Sequence, residues 1–172
     1  MRPGATVLNV ESNGNLSASN ALKCTTLDKV SPDYTPADMY PAFADCVDKG
    51  RYQDATQLFM LAGADSSFDV LRVSDITAHD AKTVLVMKSM ATIDPTKKAA
   101  WAESMKTYLA GAGHTEGCAT IRRLGPPSYY PSYMIQHGMA ALTGGNQAPL
   151  VTPFDASAAW QSVLTTYLQY PV

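Results

Sequence analysis

Three histidines, three glutamates and three cysteines are the residues in this 172-residue chain from which a reactive centre could be built. His79, His114 and His137 stand far apart, and no two are separated by four with an intervening Glu, so a zinc-protease helix is absent. His114-Thr115-Glu116 supplies the H-x-E of a zinc deaminase, but the P-C-x-x-C that must follow is missing. His114 is therefore expected on a solvent-exposed loop. Gly111 to Gly117 approximates a dinucleotide loop, yet its third Gly is one position late. It also follows a helical pattern, where the chemistry needs a strand feeding a helix N-terminus. Neither a G-x-S-x-G elbow nor a phosphate-binding G-x-x-x-x-G-K occurs. Glu11, Glu103 and Glu116 offer no carboxylate pair of glycosidase type. Cysteine spacings of 22 and 72 residues fit no zinc pattern. The expectation is a protein without catalytic residues, metal or cofactor.

Two other segments have the composition of contact surfaces. Gly125 to Met139 packs three tyrosines, three prolines and two methionines into fifteen residues. Tyrosine offers large contact area at little rotamer cost, and proline pre-orders a loop. Tyr129, Tyr130 and Tyr133 are thus candidates for partner binding. The alternative is that this loop seals an open end of the fold, with its hydroxyls bonded to helix termini. Asp65, Asp69, Asp75 and Asp80 offer a second candidate surface, with Asp65, Phe68 and Asp69 on a contact loop that follows the second helix. Helix capping by ordinary solvated acids is the competing account.

These residues need elements to position them. Thr35-Pro36 opens a helix, Met39, Phe43, Cys46 and Val47 form its apolar face, and Gly50 ends it. A second helix runs from about Tyr52 to Ala64, making a helical hairpin. Gly50, Tyr52, Ala55, Leu58, Phe59 and Ala62 give that hairpin a tetratricopeptide-like character, though no second copy follows at a 34-residue spacing. A third helix over about Thr77–Ala91 is apolar on more than one side and is expected to be central. Asp94-Pro95 starts a fourth, which Gly111 and Gly113 end. Residues 115–130 read as non-helical, Pro131 opens a fifth helix closed by Gly144-Gly145, and a sixth spans about Asp155–Gln169. Thr6–Glu11 alternates like a short strand. The fold expected is all-α: a single globular bundle of about six helices over residues 31–172, preceded by an irregular polar leader over residues 1–30.

Composition sets the compartment and excludes some partners. The net charge is −2 and the 13 Lys and Arg are scattered, so a nucleic-acid-binding stripe is missing. No apolar run approaches the roughly 20 residues that span a bilayer. The first 26 residues are rich in Asn, Ser, Thr and Gly, as in a tether left after removal of a signal peptide or lipid anchor; a cytosolic protein is the alternative. A periplasmic chain is expected to pair two of its cysteines. Cys46 and Cys118, both inside the helical region, are the expected disulfide, which would stabilise by about 4 kcal/mol in the chain-entropy model. Three free thiols are the alternative.

Cys46-x-x-x-Gly50-x-Tyr52-x-x-Ala55-x-x-Leu58-Phe59-x-Leu61-Ala62-Gly63-Ala64, then Phe68-Asp69-x-x-Arg72-Val73-x-Asp75-x-x-Ala78-His79, make up the first part of a longer pattern. Its second part is Gly125-Pro126-Pro127-x-Tyr129-Tyr130-Pro131-x-Tyr133-Met134-Ile135-x-His137-Gly138-Met139. Over roughly residues 36–142 the chain resembles small exported proteins encoded beside type VI secretion effectors, the immunity proteins. The resemblance implies a non-catalytic inhibitor that neutralises a cognate toxin (a lipase, peptidase or cell-wall hydrolase) by occluding its active site. Two other functions stay open. One is a helical peptide-binding adaptor or scaffold of the cell envelope, its groove lined by Tyr52 and the third helix. The other is an undetected enzyme, with His79 or His137 in a deep pocket within reach of a carboxylate or thiol.

Overall fold

Thr35 and Asp38 start the first helix by capping each other. The Thr35 side chain accepts from Asp38 N–H, and the Asp38 carboxylate accepts from Thr35 N–H at 2.9 Å. In the computed structural model, which describes residues 10–170, this helix is α1 (Pro36–Asp48). Gly50, at φ +70°, turns the chain into α2 (Tyr52–Arg72). Then follow α3 (Ala81–Ala91), α4 (Pro95–Ala110), α5 (Ala112–Leu124), α6 (Ser132–Ile135), α7 (Met139–Thr143) and α8 (Ala156–Ser162). A π-helical turn, Val163–Tyr167, extends α8. The fold is all-α. Among the described residues the only β-type pairing is one antiparallel bridge between Val73 and Leu150. The short strand expected at Thr6–Glu11 falls largely on residues 1–9, outside the described residues.

The spine is α2, 21 residues and so ~31 Å long. It packs against α1, α3, α4, α5 and α8. Its Ala55, Leu58, Ala62, Ala64 and Phe68 are buried, and Phe59 meets Phe43 and Trp101 in an aromatic cluster with centroids 4.8–5.4 Å apart.

The structure corrects several sequence expectations, each for a physical reason. The second helix does not stop at Ala64. Asp65 to Asp69 form its interior, and the polar run is accommodated because Ser66 and Ser67 return their hydroxyls to Ala62 O and Gly63 O at 2.8 and 2.7 Å. The third helix is peripheral: only Ala81, Leu85 and Ser89 are buried, and Met87 is exposed. Residues 112–124 are helical. Gly113 and Gly117 there are packing residues, since a Cβ at either would collide with the Tyr108 ring or hydroxyl on α4. The fifth helix is broken into α6 and α7 around Gly138. A Cβ at Gly138 would overlap the Asp75 carboxylate, and that carboxylate accepts Ala140 N–H at 2.9 Å.

The disulfide joins Cys24 to Cys46, not Cys46 to Cys118. Cys46 faces the segment before α1, whereas Cys118 lies on the buried side of α5 as a free thiol beside Leu168 O. Residues 10–30, expected as part of a tether, lie along the bundle. Leu27 and Val30 are buried, and Leu16, Leu22 and Cys24 pack against the core.

Candidate functional site

Residues 65–72 of α2 put Asp65, Phe68, Asp69 and Arg72 on one helical face by the i, i+3, i+4, i+7 rule. The segment after α5 crosses that face. Gly125-Pro126-Pro127 cannot continue the helix, so the chain runs extended to Tyr129 before the single turn of α6. Tyr129 and Tyr133 then point inward from either side of Tyr130. Both phenols donate to one oxygen, Asp69 Oδ2, at 2.8 and 2.6 Å. Arg72 holds the other oxygen, its Nε and Nη2 each 2.7 Å from Asp69 Oδ1. The same Nη2 donates to Tyr129 O at 3.0 Å, and the guanidinium lies over the Phe68 and Tyr129 rings, 5.0 and 5.2 Å from their centroids.

Five of the six residues singled out as contact candidates therefore meet in the interior. Asp69 is 0% exposed and Asp65 is 3% exposed. Asp65, Phe68, Asp69, Tyr129 and Tyr133 are corrected from surface to core. For Asp69 the reason is mutual satisfaction: a carboxylate taken out of water survives when paired with a guanidinium and hydrogen-bond donors. Tyr130 is the exception. It is 56% exposed, at the tip of a segment whose neighbouring tyrosine and the one three residues on are both anchored.

The electrostatics follow from burial. Desolvation pushes the Asp65 carboxyl well above its ordinary range, the Asp69 charge adds to this, and Arg72 opposes it. Asp65 Oδ1 has no hydrogen-bond partner. Burial also raises Asp69, against the pull of Arg72 and the two phenols. Tyr129 and Tyr133 are held well above the usual phenol range, first by burial and then by the Asp69 charge. Such a carboxyl pair could serve acid–base chemistry only if substrate reached it. Within this enclosure Asp69 ties down the Tyr129–Tyr133 segment through both phenols.

The histidines are engaged elsewhere. His79 Nε2 meets Val73 O at 2.8 Å, and His137 Nδ1 meets Asn15 Oδ1 at 2.8 Å. His114, expected on an exposed loop, lies on α5 with Nε2 2.7 Å from Leu168 O. It borders a cleft of about 520 Å³ floored by Phe59, Met60 and Met105. Among the described residues no group of three or more His, Cys, Asp or Glu could hold a metal ion.

Arg72, the residue that neutralises the cluster, was missed at the sequence level. Its signal was the Asp69-x-x-Arg72 spacing, which is a pair only if the helix continues past Ala64. Asp38 was also missed. It accepts from Ser19 N–H, Asn20 N–H and Asn20 Nδ2 at 2.7, 2.8 and 3.0 Å, joining the N-terminal segment to α1.

The fold and this anchored, tyrosine-tipped segment define an all-α protein stapled by a disulfide. Comparison of the chain with protein-family models, with curated proteins and with solved structures finds no match.

Proposed function

We propose that this chain is a non-catalytic immunity protein. It acts in the periplasm by binding a cognate antibacterial type VI effector and occluding the effector's active site. The observation that carries the reading is the presentation of Tyr130. Its ring is open to solvent while Tyr129 and Tyr133, on either side, are tied into the buried Asp69–Arg72 cluster. A tight inhibitor needs a surface formed before the partner arrives, because ordering a loop on binding costs affinity. Aromatic anchors held this way supply most of the binding energy in protein interfaces.

Two further observations support the setting. The Cys24–Cys46 disulfide is of the kind that persists in oxidising compartments. Among the described residues no helix is long and apolar enough to cross a membrane. The assignment to immunity proteins rests on the sequence resemblance over residues 36–142, in which Tyr129, Tyr130 and Tyr133 all fall.

The experiment is co-expression. The chain is exported to the periplasm together with the product of the adjacent gene, and cell survival is scored. Survival with the wild-type chain, lost with Tyr130→Ala, is the expected result. Equal killing with and without the chain would overturn the reading.

A further inference from the structure

We propose that the Cys24–Cys46 disulfide is a maturation lock for the Tyr130 surface, adding to the hold of the Asp69–Arg72 cluster, so that the surface is fully ordered in the oxidised chain alone. The proposal deepens the inhibitor reading and rests on it for what the surface binds.

The N-terminal segment touches the tyrosine segment on both of its sides. On one side, Leu16 N–H donates to Tyr133 O at 3.1 Å. Ser12 Oγ donates to Gln136 O and lies 3.0 Å from Gln136 Oε1, and Asn15 Oδ1 meets His137. On the other side, Ser128 N–H donates to Pro32 O at 3.2 Å, and Ser128 Oγ donates to Asp33 Oδ1 at 2.6 Å. Residues 12–33 thus bracket Tyr130, with contacts at 128 and at 133–137.

The bracket has little structure of its own. It contains one short 3₁₀ turn, Leu27–Lys29, and places Leu16 at φ +54°, a conformation that persists only where surroundings impose it. What holds it is external: the Asp38 carboxylate at Ser19 and Asn20, the Asp45 carboxylate at Cys24 N–H, burial of Leu27 and Val30, and the disulfide to α1. The disulfide is the one covalent member of that set, and it sits midway between the two bracketing contacts. In the reduced chain Cys24 is no longer tied to α1, and residues 12–33 are held by non-covalent contacts alone.

The chemistry balances as a two-electron exchange. The Cys24 and Cys46 thiols lose two protons and two electrons as the S–S bond forms. A thiol–disulfide oxidant takes up both, and its own disulfide becomes a dithiol. In a reducing compartment the thiols persist and the bracket is slack. The surface then tightens once the chain meets the oxidant.

Amide hydrogen exchange on the full chain, with no partner present, tests this. Three samples are compared: oxidised, reduced in the folded state with a phosphine, and the Cys24→Ser/Cys46→Ser variant. Exchange over residues 12–20 and 128–136 is expected to rise by at least about tenfold on reduction or substitution, while α2 stays the best-protected element. Equal exchange at 128–136 in oxidised and reduced chains would overturn the proposal. So would a fall of α2 protection to the level of residues 128–136, because the disulfide would then hold the whole fold and not this surface. If the double variant does not fold, the phosphine-reduced native chain supplies the same comparison. Failure of the inhibitor reading leaves this result untouched, since nothing in the measurement depends on a partner.

Discussion

The phenol of Tyr133 donates a 2.6 Å hydrogen bond to Asp69 Oδ2 across 64 residues of sequence, and Tyr129 shares the same acceptor oxygen. Hydrogen bonds to a buried charged group contribute about 1.5–3 kcal/mol each. Tyr129→Phe and Tyr133→Phe should therefore each destabilise by about that amount in urea unfolding. Because the two phenols serve one carboxylate, the double variant should depart from the sum of the two. A loss under about 0.5 kcal/mol from both would show that the cluster does not anchor the segment.

Asp65 makes stability depend on pH in a direction opposite to most carboxylates. Its folded pKa is raised above the unfolded value by burial and by Asp69. The stability it contributes is full below the unfolded carboxyl range, near pH 4, and is lost as the pH rises towards the folded value. Asp69 acts in the same direction. Asp45 and Asp75 are shifted down by hydrogen bonds, so their contribution is lost only as the pH falls below that range. Asp65→Asn should flatten the profile between pH 4 and 7, where one titrating proton contributes a slope of up to about 1.4 kcal/mol per pH unit. An unchanged profile would place the Asp65 carboxylate in contact with water.

The disulfide closes a loop of 22 residues. The chain-entropy model assigns about 3 kcal/mol to a loop of that length, which Cys24→Ser/Cys46→Ser should lose in denaturant unfolding. Thiol titration of unreduced protein in denaturant should find one thiol per chain, Cys118. Two or more would contradict the pairing.

Gly63 on α2 faces the Tyr167 hydroxyl so closely that a Cβ would overlap it. Gly63→Ala should destabilise by about 1–3 kcal/mol through overpacking. The loss should shrink in the Gly63→Ala/Tyr167→Ala background, where the obstructing ring is gone. Equal losses in both backgrounds would mean that Tyr167 is not the obstacle.

Local signals in the sequence located much of the fold. Thr35-Pro36, Asp94-Pro95 and Asp155 each start a helix where the capping pattern places one. Gly50 makes the hairpin turn through its positive φ. The errors came where a residue's usual local role yielded to tertiary packing. Gly113 and Gly117 look like helix breakers, yet they let α5 lie against Tyr108. Asp65-Ser66-Ser67 looks like a loop, because nothing within the segment shows that Arg72, Tyr129 and Tyr133 satisfy its neighbouring Asp69. The tyrosine-rich segment was legible as a candidate site. Which of its tyrosines face inward was not, since that depends on an acceptor 60 or more residues away. Nor could cysteine spacing choose Cys24 over Cys118 without knowing that residues 10–30 lie on α1.

The most direct measurement is titration calorimetry of the oxidised chain with the purified product of the adjacent gene, using wild type and Tyr130→Ala. Tyr130 is exposed, so the substitution should leave folding stability within about 0.5 kcal/mol. Tight binding by the wild type, weakened by about 30-fold or more in the variant, is the expected result for an aromatic hot spot. Binding of equal affinity by both chains, or no binding by the wild type, would contradict the account.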